Sequence, residues 1–168
     1  IAPVFATSAA IGAGVRNGYV DSGMLGVDRW LAICAAYSRH RAPVCVVDAG
    51  TATTFDLVTG AGQHEGGLIL PGMHLMQSAL FRGTGALARL FGATGGPFAG
   101  EMRAGIVANP VEHPIMLGRD TAAAIRYGAL QATVCLVRAC MDELSNSPSM
   151  GATAPTLIIT GGFGPALR

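Results

Sequence analysis

One segment, residues 43–56, constrains the fold of this chain more than any other. It reads Pro-Val-Cys-Val-Val-Asp-Ala-Gly-Thr-Ala-Thr-Thr-Phe-Asp. Val44 to Val47 form a short apolar run of the kind that is buried on both faces of a sheet, so Asp48 would end the strand as a lone carboxylate. Gly50 permits a tight turn before a second strand. The segment therefore predicts a hairpin with an acid and hydroxyls at its tip.

Two interpretations of this hairpin are equally open from the segment alone. Thr51, Thr53 and Thr54 place hydroxyl donors beside turn amides that we expect to be free, which suits phosphate oxygens and a cation held by Asp48. An ordinary hairpin with a polar turn explains the same residues. Other motifs must decide between a phosphate-binding hairpin and a structural one.

The basic residues narrow the chemistry that the chain can perform. All eleven of them are Arg, and the formal net charge is +1. Without Lys, the chain cannot contain a Walker-type phosphate loop or a Schiff-base lysine. The scattered Arg residues form no basic stripe, so we expect no nucleic-acid partner. Any phosphate chemistry would use backbone amides, hydroxyls, Arg and metal ions.

The remaining special residues predict a cytoplasmic protein. The four cysteines lack C-x-x-C spacing, and we expect reduced core residues of a cytosolic protein. His64-Glu65 has no second His four residues after the first, which argues against a histidine metal site. No apolar run is long enough for a membrane span. The chain starts at Ile1 without an initiator Met, so we expect it to begin inside a longer gene product.

The apolar pattern predicts a helix from about Val27 to Tyr37, followed by three consecutive antiparallel strands. These strands are the run to Asp48, residues 52–58 and residues 67–70. Pro71-Gly72 would then open a helix that packs on the sheet. Its predicted core residues are Met73, Met76, Leu80 and Leu87.

The second half of the chain predicts a long helix and one more buried strand. The helix would span about six turns, and its apolar residues recur at spacings of three and four. They are Leu130, Val134, Val137, Met141 and Leu144. The strand covers Thr156 to Thr160 and ends in Gly161-Gly162, which would lie beside the first strand end. We interpret the Gly-, Ala- and Pro-rich residues 83–114 as a long excursion or lid.

This order of elements predicts an α/β protein with the actin-like ATPase fold, built on a ribonuclease-H-like sheet, and mostly its second lobe. A doubly wound Rossmann domain is the main competitor, but it would need a helix between the first two strands. Residues 1–42 would form an inter-lobe substrate loop and helix. Residues 43–168 would form one compact ribonuclease-H-like lobe.

An acid and an Arg stand side by side where the first helix begins. Asp28 could accept a proton from a substrate hydroxyl, while Arg29 could offer a planar fork to a carboxylate or phosphate. The alternative is a first-turn Asp stabilised by the helix dipole, with Arg29 in solvent. The pair alone does not separate these two interpretations.

Several motifs in a fixed order resemble one family. They are Asn17-Gly18-Tyr19, Leu25-Gly26-Val27-Asp28-Arg29-Trp30, the hairpin at 46–54, Gly66 to Gly72, Gly118-Arg119-Asp120-Thr121 and Thr160-Gly161-Gly162. In this order they closely resemble type III pantothenate kinase, over nearly the whole chain. The joint spacing is far more specific than any single motif.

The resemblance implies ATP-dependent phosphorylation of pantothenate to 4′-phosphopantothenate, the first committed step towards coenzyme A. Asp28 resembles the catalytic base of that family, and Asp48 resembles the acid that holds an activating potassium or ammonium ion. ATP would come with Mg²⁺. The other implied contacts are Gly26, Val27, Asp28, Arg29, Tyr19 and Thr121 for pantothenate, and Gly50 and Thr51 for ATP. A homodimer is implied as well, because the substrate site of the family lies near the subunit interface.

The chain also departs from the family pattern. Ser22 stands where the family usually has Pro, the stretch 83–114 is longer than the connection in the family, and the Asp-x-Gly-Asn phosphate loop of a first lobe is not found. We therefore expect a partial kinase. Two alternatives stay open: another actin-like sugar kinase or polyphosphate phosphatase, and a non-catalytic, nucleotide-binding regulatory relative.

Overall fold

The structure is a computed structural model that describes residues 3, 5–83, 85, 115–146 and 153–167. Its strands are β1 Ile11–Gly12, β2 Val15–Arg16, β3 Val44–Ala49, β4 Ala52–Val58, β5 His64–Pro71 and β6 Thr156–Thr160. Its α-helices are α1 Val27–His40, α2 Met73–Gly83 and α3 Thr121–Asn146. The predicted excursion at 83–114 and Leu87 lie almost entirely outside the described residues.

The larger sheet is mixed and has the strand order β5-β4-β3-β6. The pairs β5·β4 and β4·β3 are antiparallel, while β6 runs parallel to β3. The three predicted antiparallel strands and the strand at 156–160 are therefore confirmed, and the protein is of the α/β class. Only two residues connect β3 to β4. A Rossmann unit would require a helix there, so this topology does not match it.

Helices cover both faces of the sheet, which explains the uninterrupted apolar run of β3. Val44 and Val46 pack with Trp30 and Ile33 of α1 in one core cluster. Residues that alternate with them face the opposite side and pack against α3. That second cluster contains Cys45, Val47, Phe55, Cys140 and Leu144. Asp48 continues the alternation of Val44 and Val46, and so belongs to the α1 face.

Helix α1 runs antiparallel to β3, because its first turn contacts Asp56, opposite Val46, and its last turns contact Gly60, beyond the end of β4. The helix ends at Arg41, whose left-handed backbone (φ 49°) places its N–H on the Tyr37 carbonyl at 2.8 Å. At this end the Tyr37 hydroxyl donates to the Gly60 carbonyl at 2.9 Å. The predicted helix end at Tyr37 was therefore one turn too early.

The other two predicted helices are confirmed, with corrections to their length and buried residues. The 26 residues of α3 form about seven turns rather than six. Leu130 and Leu144 are buried as predicted. Leu80 was predicted to be a core residue of α2, but it is 45% exposed and lines a groove between α2 and α3. The prediction was wrong because α2 packs on α3 as well as on the sheet, and Leu80 faces the open groove that remains between the two helices.

Candidate functional site

A row of three polar residues crosses the sheet on the α1 face at the end of β3. Asp48 is paired with Thr54 of β4 and with Thr160 of β6. Residues that are paired across strands share a face, so these hydroxyls flank the carboxylate. Asp48 is half-buried, and among the described residues its carboxylate has no hydrogen-bond or ion-pair partner. The predicted lone acid at the strand end is therefore confirmed as a structural feature.

The glycine-rich end of β6 meets the end of β3, as the sequence predicted. A Cβ at Gly161 would stand only 2.5 Å from both the Asp48 Oδ1 and the Ala49 carbonyl oxygen, and its φ is +89°. The Phe163 N–H donates to the same Ala49 carbonyl at 2.9 Å. Glycine at 161 thus lets the backbone come close to the carboxylate.

The β3–β4 turn corrects one expectation. The Gly50 amide was expected to be free, but it donates to the Ala52 carbonyl at 3.0 Å. The Thr51 carbonyl accepts from the Gly72 N–H at 2.8 Å, which ties the turn to the start of α2. The Thr51 side chain is exposed, whereas Thr53 is 2% exposed. The turn therefore offers the Thr51 hydroxyl rather than the Gly50 amide.

Asp28 lies in the exposed first turn of α1. Its Oδ1 accepts the Arg29 backbone N–H at 2.9 Å. A Cβ on Gly26 would come within 2.7 Å of that Oδ1, so glycine leaves room for the carboxylate at the helix start. Because the neighbouring Arg29 bonds to Asp56 on the α1 face of β4, the first turn of α1 lies on the face of the sheet that carries Asp48.

Arg29 is buried rather than solvated, with 7% of its surface exposed. Its Nε donates to the Asp56 Oδ2 at 2.8 Å and its Nη2 to the Asp56 Oδ1 at 2.6 Å. The interpretation that places Arg29 in solvent is therefore wrong. The substrate-fork role stays a prediction, and it is limited to the N–H groups of Nη1 and Nη2 that Asp56 does not use.

Arg29, Asp56 and His64 form a buried polar cluster. The sequence did not predict Asp56 or His64 as site residues. The His64 Nε2 lies 3.0 Å from the Asp56 Oδ1, and the ring is fully buried. A β-bulge shifts the register so that His64, rather than Glu65, is opposite Val58. This shift turns His64 to the α1 face, where strict alternation would have placed Glu65. No local sequence pattern marks the position of the bulge.

The cluster changes the acid–base behaviour of its members. Burial alone would raise the pKa of Asp56, but hydrogen bonds from His64 and Arg29 and the Arg29 charge hold it below the ordinary 3.8. Burial works against the charge of Arg29, yet Asp56 raises its pKa. Both groups are therefore ionised at neutral pH and form an ion pair.

This ion pair predicts a pH dependence of stability. A carboxylate with a lowered pKa stabilises the folded state fully above its unfolded pKa, and that contribution is lost as pH falls through the folded pKa. We therefore expect Asp56→Asn to be less stable than the unaltered protein at pH 7, and this difference to shrink below about pH 4. Urea unfolding at pH 7, 4, 3 and 2 measures it.

Asp142→Asn, which alters an exposed acid of α3, is the matched control for that titration. The control should follow the unaltered protein at every pH. A stability difference for Asp56→Asn that stays constant from pH 7 to pH 2 would contradict the assignment of Asp56 as the ionised partner.

Tyr19 belongs to the same cluster. Its hydroxyl accepts from the Arg29 Nη1 at 2.8 Å, and its ring stacks on His64 with centroids 6.1 Å apart and planes at 13°. The Tyr19 N–H donates to the Asn17 Oδ1 at 3.0 Å. The structure thus brings together Tyr19 and Arg29, two of the predicted substrate residues.

Thr121 lies elsewhere. It starts α3, where the Asp120 Oδ1 accepts the Ala123 N–H at 2.7 Å as an N-cap. Thr121 lines the groove between α2 and α3, a cavity of about 680 Å³. None of the other predicted substrate residues lines that groove, so this structure does not join Thr121 to the Tyr19–Arg29 cluster.

The prediction of core cysteines is confirmed for two of the four residues. Cys45 and Cys140 are buried, Cys34 is half-buried, and Cys135 is exposed, contrary to a core position. Burial raises the pKa of Cys45 to about 12, so its thiol is protonated and unreactive at neutral pH.

Within the described ranges, no group of three His, Cys, Asp or Glu side chains could hold a metal ion. Among the helices that the structure describes, none combines the length and apolarity of a membrane span.

Fold and site together define a class of protein, an α/β domain with oxygen donors gathered where its central strands end. The family model for type III pantothenate kinase matches residues 1–143. The chain belongs to the type III pantothenate kinase family.

Individual relatives agree with this assignment. A type III pantothenate kinase of Nitrosococcus oceani is 33% identical over 99% of this chain and 57% of its own length. That of Aromatoleum aromaticum is 35% identical over 99% of this chain and 59% of its own length. A Pseudomonas aeruginosa kinase is 53% identical over 46% of this chain and 33% of its own length. The chain thus spans a little over half the length of the curated relatives that it matches end to end.

A solved structure has a similar fold. A Campylobacter jejuni protein described as a Baf family transcriptional activator superposes with a TM-score of 0.53 and 26% identity. The match covers 86% of this chain and 53% of that one. Its description concerns regulation rather than catalysis, which bears on the choice between functions below.

Proposed function

We propose that the protein containing this chain transfers the γ-phosphoryl group of ATP to the primary hydroxyl of pantothenate. The observation that carries the proposal is that the first turn of α1, which bears Asp28, lies on the face of the sheet where Thr54 and Thr160 flank Asp48. Phosphoryl transfer needs an aligned hydroxyl and charge neutralisation, and little covalent chemistry from the protein. This face of the sheet offers a proton acceptor and a set of oxygen ligands.

Asp28 would act as the general base. Its exposed position leaves the carboxylate accessible to a substrate hydroxyl, and the first turn of α1 fixes its backbone. Gly26 and Val27 would line the same entry to the helix. The substrate carboxylate would be held by the N–H groups of Arg29 that Asp56 leaves available, with Tyr19 beside them.

The residues around Asp48 fit a monovalent cation. A partnerless carboxylate flanked by hydroxyls is a hard oxygen donor set of the kind that potassium accepts, and ammonium could donate to the same oxygens. When bound, this ion and the Mg²⁺ of the nucleotide would neutralise phosphate charge, which no Lys of this chain can do. Thr51 would contribute its exposed hydroxyl to the phosphates. Gly50 would shape the turn rather than donate its amide.

A homodimer would explain the position of Thr121. It lines the α2–α3 groove, apart from the Tyr19–Arg29 cluster, so a contact with pantothenate would come from a second copy of the chain. We further propose the actin-like architecture, with residues 1–42 as inter-lobe loop and helix and 43–168 as the ribonuclease-H-like lobe, in a cytoplasmic enzyme. The order β3-β4-β5-α2-α3-β6 supports this architecture.

A regulatory relative is the second candidate, because the Campylobacter jejuni structure is described as a transcriptional activator. Incubation with γ-labelled ATP and a panel of pantothenate, hexoses and water separates the possibilities. Label in pantothenate supports the proposed kinase. Label in a hexose identifies a sugar kinase, label in inorganic phosphate identifies a phosphatase, and retention in ATP favours the regulatory relative.

A further inference from the structure

We infer that Asp56 and His64 are positioning residues that hold Tyr19 and Arg29 in the geometry in which they meet substrate. The inference rests on the proposed function for the identity of that substrate. It assigns a role to two buried side chains of β4 and β5 that would not themselves touch pantothenate. The Asp56 carboxylate accepts from Arg29 and lies within hydrogen-bond distance of His64. His64 in turn contacts Gly18 and Tyr19.

Asp56 is the shared acceptor. Its two oxygens take the Nε and Nη2 of Arg29, and Oδ1 also lies 3.0 Å from His64 Nε2. A bidentate pair fixes the plane of a guanidinium, because two parallel N–H bonds define both its direction and its rotation. Asp56 thereby fixes where the remaining Nη1 and Nη2 donors of Arg29 point.

Glycine at 67 makes room for that pair. Gly67 is opposite Asp56 in the β4–β5 register. A Cβ there would overlap the Arg29 Nη2, the Asp56 Oδ1 and the Phe55 carbonyl oxygen. The second glycine of the Gly66-Gly67 motif is therefore explained by the space that the ion pair fills.

His64 links the Arg29–Asp56 ion pair to the loop that precedes α1. The Gly18 N–H donates to His64 Nδ1 at 3.3 Å, so the ring proton is on Nε2 and the Nε2 N–H donates to Asp56. A Cβ on Gly18 would overlap the His64 carbonyl oxygen, so this loop lies directly on the strand. The Tyr19 ring stacks on the imidazole, and the Tyr19 hydroxyl accepts a hydrogen bond from Arg29.

The test uses three variants of the protein that contains this chain. His64→Leu removes both ring nitrogens and keeps apolar volume. His64→Asn keeps an acceptor near the Nδ1 position, and tests rescue of the Gly18 contact. Glu65→Gln changes the exposed neighbour on the same strand and is the matched control. Amide hydrogen exchange of residues 17–20 and calorimetric titration with pantothenate and with ATP are the readouts.

We expect His64→Leu to accelerate exchange at Gly18 and Tyr19 at least tenfold while β3 keeps its protection. Pantothenate affinity should fall about tenfold with ATP affinity unchanged within twofold, and His64→Asn should recover part of both losses. A merely structural role would weaken both ligands equally. Unchanged exchange at 17–20, or faster exchange with unchanged pantothenate affinity, would overturn the inference.

The failure of the proposed function has a different signature. In that case the unaltered protein would not bind pantothenate, while exchange at residues 17–20 would still respond to His64→Leu. If His64→Leu does not fold, Asp56→Asn replaces it, because it keeps the size of the side chain and removes the charge that orients the Arg29 guanidinium. That variant should lower pantothenate affinity without changing ATP affinity, and equal weakening of both would overturn the inference.

Discussion

Replacing Asp28 by Asn should lower kcat for pantothenate phosphorylation by about 10²- to 10⁴-fold, the range that a general base contributes. Asn keeps the size of the side chain but cannot accept the substrate proton. The structural cost should be small, about 0.3–1 kcal/mol, because Asp28 is exposed and loses only its favourable position at the helix N-terminus. Steady-state kinetics and urea unfolding of the same preparation separate the two effects.

Asp21→Asn is the matched control for that substitution. Asp21 is also exposed and accepts the Gly23 N–H at 2.9 Å, a contact that Asn can reproduce. The control should retain kcat within about twofold. Full activity of Asp28→Asn would remove Asp28 from the role of general base.

The second large effect is on stability. Asp56→Ala should lower the free energy of unfolding by about 3–5 kcal/mol, because it leaves the buried Arg29 guanidinium without its counter-charge. Arg29→Ala should lower the free energy of unfolding by a similar amount, since it leaves the buried Asp56 carboxylate without its counter-charge. The double variant should lose clearly less than the two single losses added together, because neither charge then remains unpaired. Chemical unfolding of all four proteins completes the cycle.

An exposed pair on α3 provides the comparison for this cycle. Arg138→Ala and Asp142→Ala alter exposed side chains, and each should change stability by no more than about 0.5 kcal/mol. Additive losses in the Arg29–Asp56 cycle, without the expected compensation, would show that the pair does not act as a buried ion pair.

The strands could be predicted because the local amino-acid composition of each strand reflects which of its faces are covered. The Val-rich run of β3 is apolar at every position up to Asp48, as a strand covered by α1 and α3 must be. The strand at Thr156 to Thr160 was predicted from the apolar run Leu157 to Ile159 and is the parallel neighbour of β3, but it is half-buried rather than buried. Leu80 was misassigned because periodicity shows that a helix has an apolar face, but not which neighbour covers it.

The Asp56–His64 cluster could not be predicted, because it depends on contacts between distant parts of the chain. Arg29 and Asp56 are 27 residues apart, and a neighbour of that kind is set by the packing of α1 on β4. His64 reaches the α1 face only through the bulge in β5. The position of Asp48, in contrast, followed from strand alternation and the turn signal at Gly50. The Gly50 amide is occupied by the Ala52 carbonyl, only two residues away, so the expectation of a free amide missed a contact within the turn itself.

The most direct test of the account is mass-spectrometric detection of 4′-phosphopantothenate after incubation of the protein that contains this chain with pantothenate, ATP, Mg²⁺ and potassium or ammonium. We predict product formation with ADP in equal amount, and loss of product when sodium replaces the activating ion or Asn replaces Asp48. Pantothenate that is recovered unchanged under every ionic condition, from a protein shown to be folded, would contradict the proposed kinase function.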